Sequence, residues 1–213
     1  MKFKQLDITG FKSFSDKTTF LIEDGLTGIV GPNGCGKSNI VESLRWCMGE
    51  NSAKSMRGSG MEDVIFSGTS NRPSKNISEV TLLLDNQSKE GPTQFKEFEE
   101  ISIKRKIEKD KGSKYFINDK EVRARDVQTL FADLSTGAHS PSLISQGKIG
   151  QIVTSKPIER KSILEEAAGI SGIHVRRQEA ETRLNAAENN LKRADELKKP
   201  VSYTHLRAHE TKS

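Results

Sequence analysis

Residues 31–39 read Gly-Pro-Asn-Gly-Cys-Gly-Lys-Ser-Asn and satisfy the pattern G-x-x-x-x-G-K-[ST] in full. Glycines let the backbone curl so that successive N–H groups point inward at phosphate oxygens, which creates a nest for anions. The ammonium of Lys37 can then reach the β- and γ-phosphates of a nucleotide, and the hydroxyl of Ser38 can bind Mg²⁺. The stretch therefore predicts a P-loop nucleotide site.

A phosphate loop of this kind needs a strand before it and a helix after it. The apolar run Leu-Thr-Gly-Ile-Val at 26–30 predicts the strand. Apolar residues then recur at helical spacing until Gly49 ends the pattern. These residues are Ile40, Val41, Leu44 and Met48. Both neighbours are present, which favours nucleotide binding over a chance match to a short pattern.

Composition sets the outer limits. A chain of 213 residues with 33% hydrophobic and 30% charged residues predicts one sizeable domain plus a solvent-exposed appendage. The net charge of +5 permits an anionic partner such as nucleic acid but does not require one. We expect a cytoplasmic protein with no membrane span, because the chain shows neither a long apolar run nor a signal-peptide start. Two cysteines, Cys35 and Cys47, predict neither a disulfide framework nor a metal quartet.

The first 155 residues read as a mixed α/β domain. Strands are expected at 3–8, 18–22 and 77–84, and alternating residues from Ile101 to Ile107 indicate a half-exposed strand. Residues 115–118 and 121–125 flank Asp-Lys and are typical of a hairpin, with a short helix following at 126–134.

Beyond residue 155 the pattern changes. Pro157 begins a predicted helix that pauses near Gly169 and Gly172. Further on, apolar residues step by four and three, as in a heptad seam. The seam consists of Ala180, Leu184, Ala187, Leu191 and Ala194. It is typical either of one amphipathic surface helix or of the start of a coiled coil that meets a helix from elsewhere.

Several segments, in order, resemble the N-terminal head of the bacterial structural maintenance of chromosomes (SMC) ATPases over about residues 1–199. They include Gly-Phe-Lys-Ser-Phe at 10–14, the loop itself, Lys-Ser-Met-Arg-Gly at 54–58, Ile-Ser-Gln-Gly-Lys at 144–148 and Glu-Glu-Ala-Ala-Gly-Ile at 165–170. The resemblance implies an α/β fold: the N-terminal half of an ABC-type P-loop ATPase head with a mixed sheet, followed by the start of a long antiparallel coiled coil. It sets the half-head at 1–155 and the exit helix with the arm at 156–199. Residues 200–213 do not resemble the family and look non-native; a zinc site at His205 and His209 is not favoured.

The resemblance also implies roles for individual residues. ATP would be held by Pro32, Asn33, Gly34, Cys35, Gly36, Lys37, Ser38 and Asn39. Arg57 matches an arginine near the nucleotide that couples it to DNA, or it is a solvated loop charge. Gln146 matches a catalytic glutamine that completes Mg²⁺ coordination with Ser38 and positions water, or it caps the helix beyond it. Arg123 and Arg125 match DNA-contacting residues on one face of the hairpin strand, or they line a solvated strand edge.

The function implied is ATP-driven condensation and segregation of chromosomes in the nucleoid. Expected partners are double-stranded DNA, a second copy joined through a hinge, and kleisin and accessory subunits of the ScpA and ScpB type. The family's signature motif and the strand ending in Asp-Glu are not found after the phosphate loop, so this segment alone should not hydrolyse ATP. Two other classes remain open from the sequence: a DNA-repair ATPase of similar plan, and a transporter-type ATP-binding subunit.

Overall fold

The computed structural model describes residues 1–89, 92–134, 143–145, 148–168, 177–178 and 180–196. The chain divides into two units, Met1–Gly172 and Ile173–Ser213. The larger unit contains the sheet and the phosphate loop. No helix in these described ranges is long and apolar enough to cross a membrane.

Six strands form one sheet in the larger unit. They are β1 (Lys2–Thr9), β2 (Thr18–Leu21), β3 (Ile77–Asp85), β4 (Glu100–Glu108), β5 (Gly112–Ile117) and β6 (Lys120–Val122). Their order is β2-β1-β3-β4-β5-β6, and every described pair is antiparallel. The register aligns one buried apolar row across four strands, made of Leu6, Leu82, Ile103 and Ile117. Such cross-strand neighbours on a single face are the unit by which a sheet is stabilised.

One face of the sheet carries the core because buried residues alternate along its central strands. In β3 and β4 every second side chain is buried, which confirms the alternation predicted for residues 101–107. Helix α1 (Lys37–Cys47) lies against β3 and β4, and helix α2 (Ala124–Asp133) lies against β5. Gly49 has φ +101°, a left-handed conformation that suits glycine, and α1 ends just before it as predicted. Two further helices, α3 (Lys148–Thr154) and α4 (Pro157–Ala167), follow in the chain.

The predicted hairpin forms, but its second strand is shorter than expected. Asn118 and Asp119 both have positive φ, 47° and 61°, as in the type I′ turn that joins two strands tightly. Strand β6 ends at Val122. The backbone N–H of Arg123 donates to the Asp126 carboxylate at 3.0 Å, which caps α2 and starts the helix there. Arg123 and Arg125 therefore do not share a strand face, and the argument that placed them side by side on the hairpin was wrong.

The segment 26–30, predicted as a strand, forms none. Leu26 is 99% exposed and Val30 91% exposed. A strand needs a neighbour for its backbone hydrogen bonds, and β2, the nearest strand in the chain, pairs only with β1 among the described residues. The sequence pattern was apolar enough for a strand, but no described strand lies beside it.

In the smaller unit, residues 180–196 form a helix that carries the whole predicted seam. Its two leucines, Leu184 and Leu191, are 60% and 65% exposed. The spacing was therefore read correctly as helical, and the seam lies open to solvent in the described part of this unit. The pause predicted near Gly169 and Gly172 and the histidine tail lie outside the described residues.

A buried arginine joins α1 to the sheet. Arg105 in β4 is only 2% exposed, and its guanidinium lies 4.5 Å from the ring centre of Trp46 and 4.6 Å from that of Tyr115. It donates to the carbonyl oxygens of Trp46 at 2.8 Å and Glu50 at 2.6 Å, at the end of α1. Burial lowers the pKa of Arg105 and raises that of Tyr115 to about 12, so the phenol stays neutral. The sequence predicted a half-exposed strand here and missed this contact.

We predict that Arg105→Met destabilises the domain by about 2–5 kcal/mol, because two buried carbonyls lose their donors and the ring stack loses its cation. The free energy of unfolding from denaturant titration measures this. Lys104→Met is the matched control: the residue is next in the chain, on the opposite face, with its side chain 28% exposed. It should change stability by at most about 1 kcal/mol. Equal effects of the two variants would contradict a structural role for the Arg105 contacts.

Candidate nucleotide site

The phosphate loop adopts the left-handed backbone that its glycines allow. Gly34 has φ +84° and Gly36 has φ +90°. Gly36 is the N-cap of α1, so the loop leads directly into the helix N-terminus, and no acidic residue lies in the first helical turn. Backbone N–H groups at a helix N-terminus favour a bound anion. A Cβ added at Gly36 would lie 2.9 Å from the Ser13 hydroxyl, so the position requires glycine for space as well as for conformation.

The Lys37 ammonium lies over this loop. It donates to the carbonyl oxygens of Gly31 at 2.6 Å and Pro32 at 2.5 Å, and it lies 3.9 Å from the Cys35 sulfur. Ser38, the predicted Mg²⁺ ligand, follows at the exposed start of α1. The loop thus combines backbone N–H groups, one ammonium and one hydroxyl, which is the donor set that a nucleotide phosphate with Mg²⁺ requires.

The other end of the loop is tied to two distant segments. Asn39 donates through its side-chain amide to the Ser13 hydroxyl at 2.9 Å. Arg57 in turn donates through one Nη to the Asn39 side-chain oxygen at 3.1 Å. The structure therefore brings Arg57 next to the last residue of the predicted ATP-binding stretch, although 18 positions separate them in the chain.

A carboxylate that sequence reasoning missed completes this arrangement. Glu42 accepts from Arg57 Nε at 2.5 Å on one oxygen and from Lys12 Nζ at 2.5 Å on the other. We call these three residues the Glu42 cluster. Glu42 lies three residues after Asn39 and four after Ser38, a spacing that places all three on one helix face. That spacing was the signal available in the sequence, but an acidic residue on a helix has no fixed meaning without its partners.

The remaining predicted residues are placed as follows. Gln146 lies outside the described residues; its neighbour Ser145 accepts a hydrogen bond from Arg45 of α1 at 3.3 Å. Arg123 and Arg125 are both exposed at the start of α2.

The two cysteines differ sharply in environment. Cys35 is exposed in the phosphate loop, whereas Cys47 is fully buried at the end of α1. Burial raises the pKa of the Cys47 thiol to about 12. Its sulfur contacts the carbonyl oxygens of Val80 at 3.6 Å and Ile103 at 3.4 Å. Cys47 therefore acts as a core residue, and Cys35 is the accessible thiol at the site.

Comparison with known proteins identifies the chain's relatives. Residues 2–148 match the family described as the RecF/RecN/SMC N terminal domain. The chromosome partition protein Smc of Cereibacter sphaeroides is 56% identical over 197 residues, which cover 92% of this chain and 17% of that protein. The chain thus spans about a sixth of the length of this relative.

Solved structures agree with the sequence matches. One matching structure comes from work on the ATP-driven dimerization and DNA stimulated activation of SMC ATPases. It has a TM-score of 0.66 at 28% identity. The match covers 78% of this chain and 99% of that one. The Smc head domain of Pyrococcus furiosus, with an extended coiled coil and bound to the C-terminal domain of ScpA, has a TM-score of 0.71 at 30% identity. That match covers 92% of this chain and 49% of that one.

The α/β fold, the phosphate loop at the start of α1, and these matches lead to the same assignment: the chain belongs to the RecF/RecN/SMC N terminal domain family, which residues 2–148 match, and within it the chain is similar to chromosome partition proteins Smc.

Proposed function

We propose that this chain is the ATP-binding part of the head of an SMC ATPase that condenses and segregates chromosomes. The observation that carries the proposal is the phosphate loop, whose lysine ammonium and left-handed glycines lie at the N-terminus of α1. The relative that shares 56% of its residues is a chromosome partition protein, which supports the cellular role. We place the protein in the cytoplasm at the nucleoid.

The chain's own residues account for nucleotide binding. The Lys37 ammonium exchanges the carbonyl oxygens of Gly31 and Pro32 for β- and γ-phosphate oxygens, which are better partners for a cation because they are charged. The Ser38 hydroxyl and Gln146 would hold Mg²⁺, which would supply positive charge to the phosphates. Arg57 couples the bound nucleotide to DNA in this proposal, which its hydrogen bond to Asn39 at the end of the loop supports.

Hydrolysis needs groups from another segment. The family's signature motif and an apolar strand that ends in Asp-Glu do not occur in the sequence after the phosphate loop. We propose that another part of the protein supplies both and adds strands beside residues 26–30. The near-complete exposure of Leu26 and Val30 supports this, since apolar side chains in such a run are normally buried in a sheet.

Partners follow the same reasoning. The described helix 180–196 has an exposed heptad seam, which supports an arm within 156–199 that packs against an antiparallel helix. The Pyrococcus furiosus head is bound to the C-terminal domain of ScpA, which supports a kleisin partner here. We propose double-stranded DNA and a second copy of the complete protein as the further partners, with an accessory subunit of the ScpB type.

Lys37→Ala tests nucleotide binding directly. We expect the affinity for ATP in the complete protein to fall at least about 100-fold, because the loop loses the charge that compensates the phosphates. Isothermal calorimetry measures the affinity. Lys17→Ala is the control, since this lysine is exposed and pairs with Asp7 away from the loop. Unchanged affinity in Lys37→Ala would refute the assignment of the phosphate loop.

The two cysteines allow an independent test. A maleimide should modify Cys35 and leave Cys47 unmodified, because only Cys35 is exposed and the Cys47 pKa of about 12 leaves almost no thiolate near neutral pH. ATP with Mg²⁺ should slow the labelling of Cys35, since the phosphates cover the loop. Peptide mass spectrometry after timed labelling measures both sites. Labelling of Cys35 at the same rate with and without ATP would count against binding at this loop.

DNA binding by Arg123 and Arg125 remains a proposal, now based on their exposure at the start of α2. Changing both to glutamate should weaken DNA binding equally across sequences and make the salt dependence shallower by about one unit per lost phosphate contact. Binding titrations at several salt concentrations measure this. The pair Arg72→Glu and Lys75→Glu changes the charge equally at another exposed site and serves as the control. Equal losses in the two double variants would show a general charge effect only.

A further inference from the structure

The Glu42 cluster has an uneven distribution of exposure. The Glu42 side chain is 9% exposed and that of Lys12 is 14% exposed, whereas the Arg57 side chain is 58% exposed. A buried carboxylate is tolerated when it is paired and hydrogen-bonded, and Glu42 uses one oxygen for each cation. Lys12 also donates to the Met56 carbonyl, next to Arg57 in the chain. Lys12 and Glu42 thus form a buried ion pair, and this pair holds the more exposed side chain of Arg57.

The backbone at both cations is strained. Lys12 has φ +46° and Arg57 has φ +53°, in the left-handed region that side-chain-bearing residues seldom adopt. Such conformations persist only where the surroundings hold them, and they cluster at functional sites. Both strained residues contact the same carboxylate. The Lys12 backbone N–H donates to the Val64 carbonyl at 2.8 Å, which contributes to holding that turn.

The contacts orient the Arg57 guanidinium. Its Nε donates to Glu42 and one Nη donates to Asn39, so two fixed points on α1 define the plane of the group. Asn39 ends the predicted ATP-binding stretch, and Glu42 lies one turn further along the helix. An arginine held at two donors keeps its remaining donors in a fixed direction, because the guanidinium is planar and rigid.

We propose that Glu42 is a positioning residue, which holds Arg57 beside the phosphate loop in the orientation that ATP turnover requires. This rests on the proposed function, since it assumes that the loop binds ATP and that Arg57 acts on the bound nucleotide. Glu42 itself does not touch the nucleotide. One Glu42 oxygen accepts from Nε of the arginine and fixes its orientation, while the Lys12 ammonium pairs with the other oxygen.

A double-mutant cycle in the complete protein tests the proposal. The variants are Glu42→Gln, Arg57→Ala and the two together, with kcat for ATP hydrolysis and the affinity for a non-hydrolysable ATP analogue measured for each. Glu42→Gln should lower kcat at least about tenfold while the affinity stays within about threefold of the parent. The double variant should be no slower than Arg57→Ala alone, because Glu42 acts through that arginine.

The outcomes separate the proposal from its alternatives. Effects on kcat that multiply in the double variant, or full activity in Glu42→Gln, would overturn it. Glu121→Gln is the matched control, since Glu121 pairs with Lys114 at 3.1 Å on the sheet and should leave kcat unchanged. Failure of the parent protein to bind the analogue would instead refute the proposed function, which the affinity measurement shows on its own.

A second variant covers the case in which Glu42→Gln lowers the melting temperature by more than about 4 °C. Arg57→Lys keeps the positive charge but cannot contact Glu42 and Asn39 with one planar group. We expect it to lose kcat to the same extent as Arg57→Ala, with the melting temperature unchanged. A kcat equal to that of the parent would show that charge alone suffices at this position and would overturn the proposal.

Discussion

The contact between the Arg105 guanidinium and the end of α1 determines where the phosphate loop lies. Arg105 reaches from β4 to the carbonyl oxygens of Trp46 and Glu50, and the Trp46 and Tyr115 rings enclose it. A charge so deeply buried is tolerated because both Nη groups are hydrogen-bonded and the two rings offer their negative faces. Since α1 has 11 residues, fixing one end locates the other end about 16 Å away.

The two ends of α1 carry charge in complementary ways. The cation at the C-terminal end meets the negative end of the helix dipole, while the N-terminal end carries no acidic residue in its first turn. Glu42 lies half-way along the helix, and its negative charge is paired with Lys12 and Arg57. Among its own residues, α1 therefore has no unpaired carboxylate near its N-terminus. The helix therefore has a fixed structural end and an end suited to an anion. The chemistry of the site depends on this asymmetry as much as on the glycines.

The sequence predicted features that depend on near neighbours in the chain. The period-two strands, helix α1 with its glycine stop, the hairpin and the helical seam were all identified, because each pattern repeats within a few residues. Features that depend on distant partners were missed or wrong. The alternation of Ile101, Ile103, Arg105 and Ile107 was recognised, but the partners around the end of α1 that bury the charge of Arg105 lie 54 to 59 positions away and could not be predicted. The apolar run 26–30 suggested a strand, although pairing depends on a neighbour.

The site divides in the same way. The loop residues could be predicted because glycine and lysine at fixed spacing have a direct physical meaning. The Glu42 cluster could not, because Lys12 and Glu42 are 30 positions apart and meet only after the sheet and α1 have packed. Arg123 was predicted to continue the hairpin strand. Instead its backbone N–H donates to the Asp126 carboxylate, so Arg123 becomes the N-cap of α2 and the strand ends before it.

The exposure of the apolar residues in segment 26–30 has a consequence for synthesis on the ribosome. The Cereibacter sphaeroides relative is more than five times as long as this chain, so in a protein of that length about one to four minutes of synthesis would separate such a segment from the last residues to be made. In a protein of that length, a segment covered only by late residues must stay soluble throughout that interval. Gly28 interrupts the apolar run, and Glu23 and Asp24 lie just before it; both features reduce the tendency of the segment to aggregate. Translation speed and chaperone capacity thereby become part of how such a head is assembled.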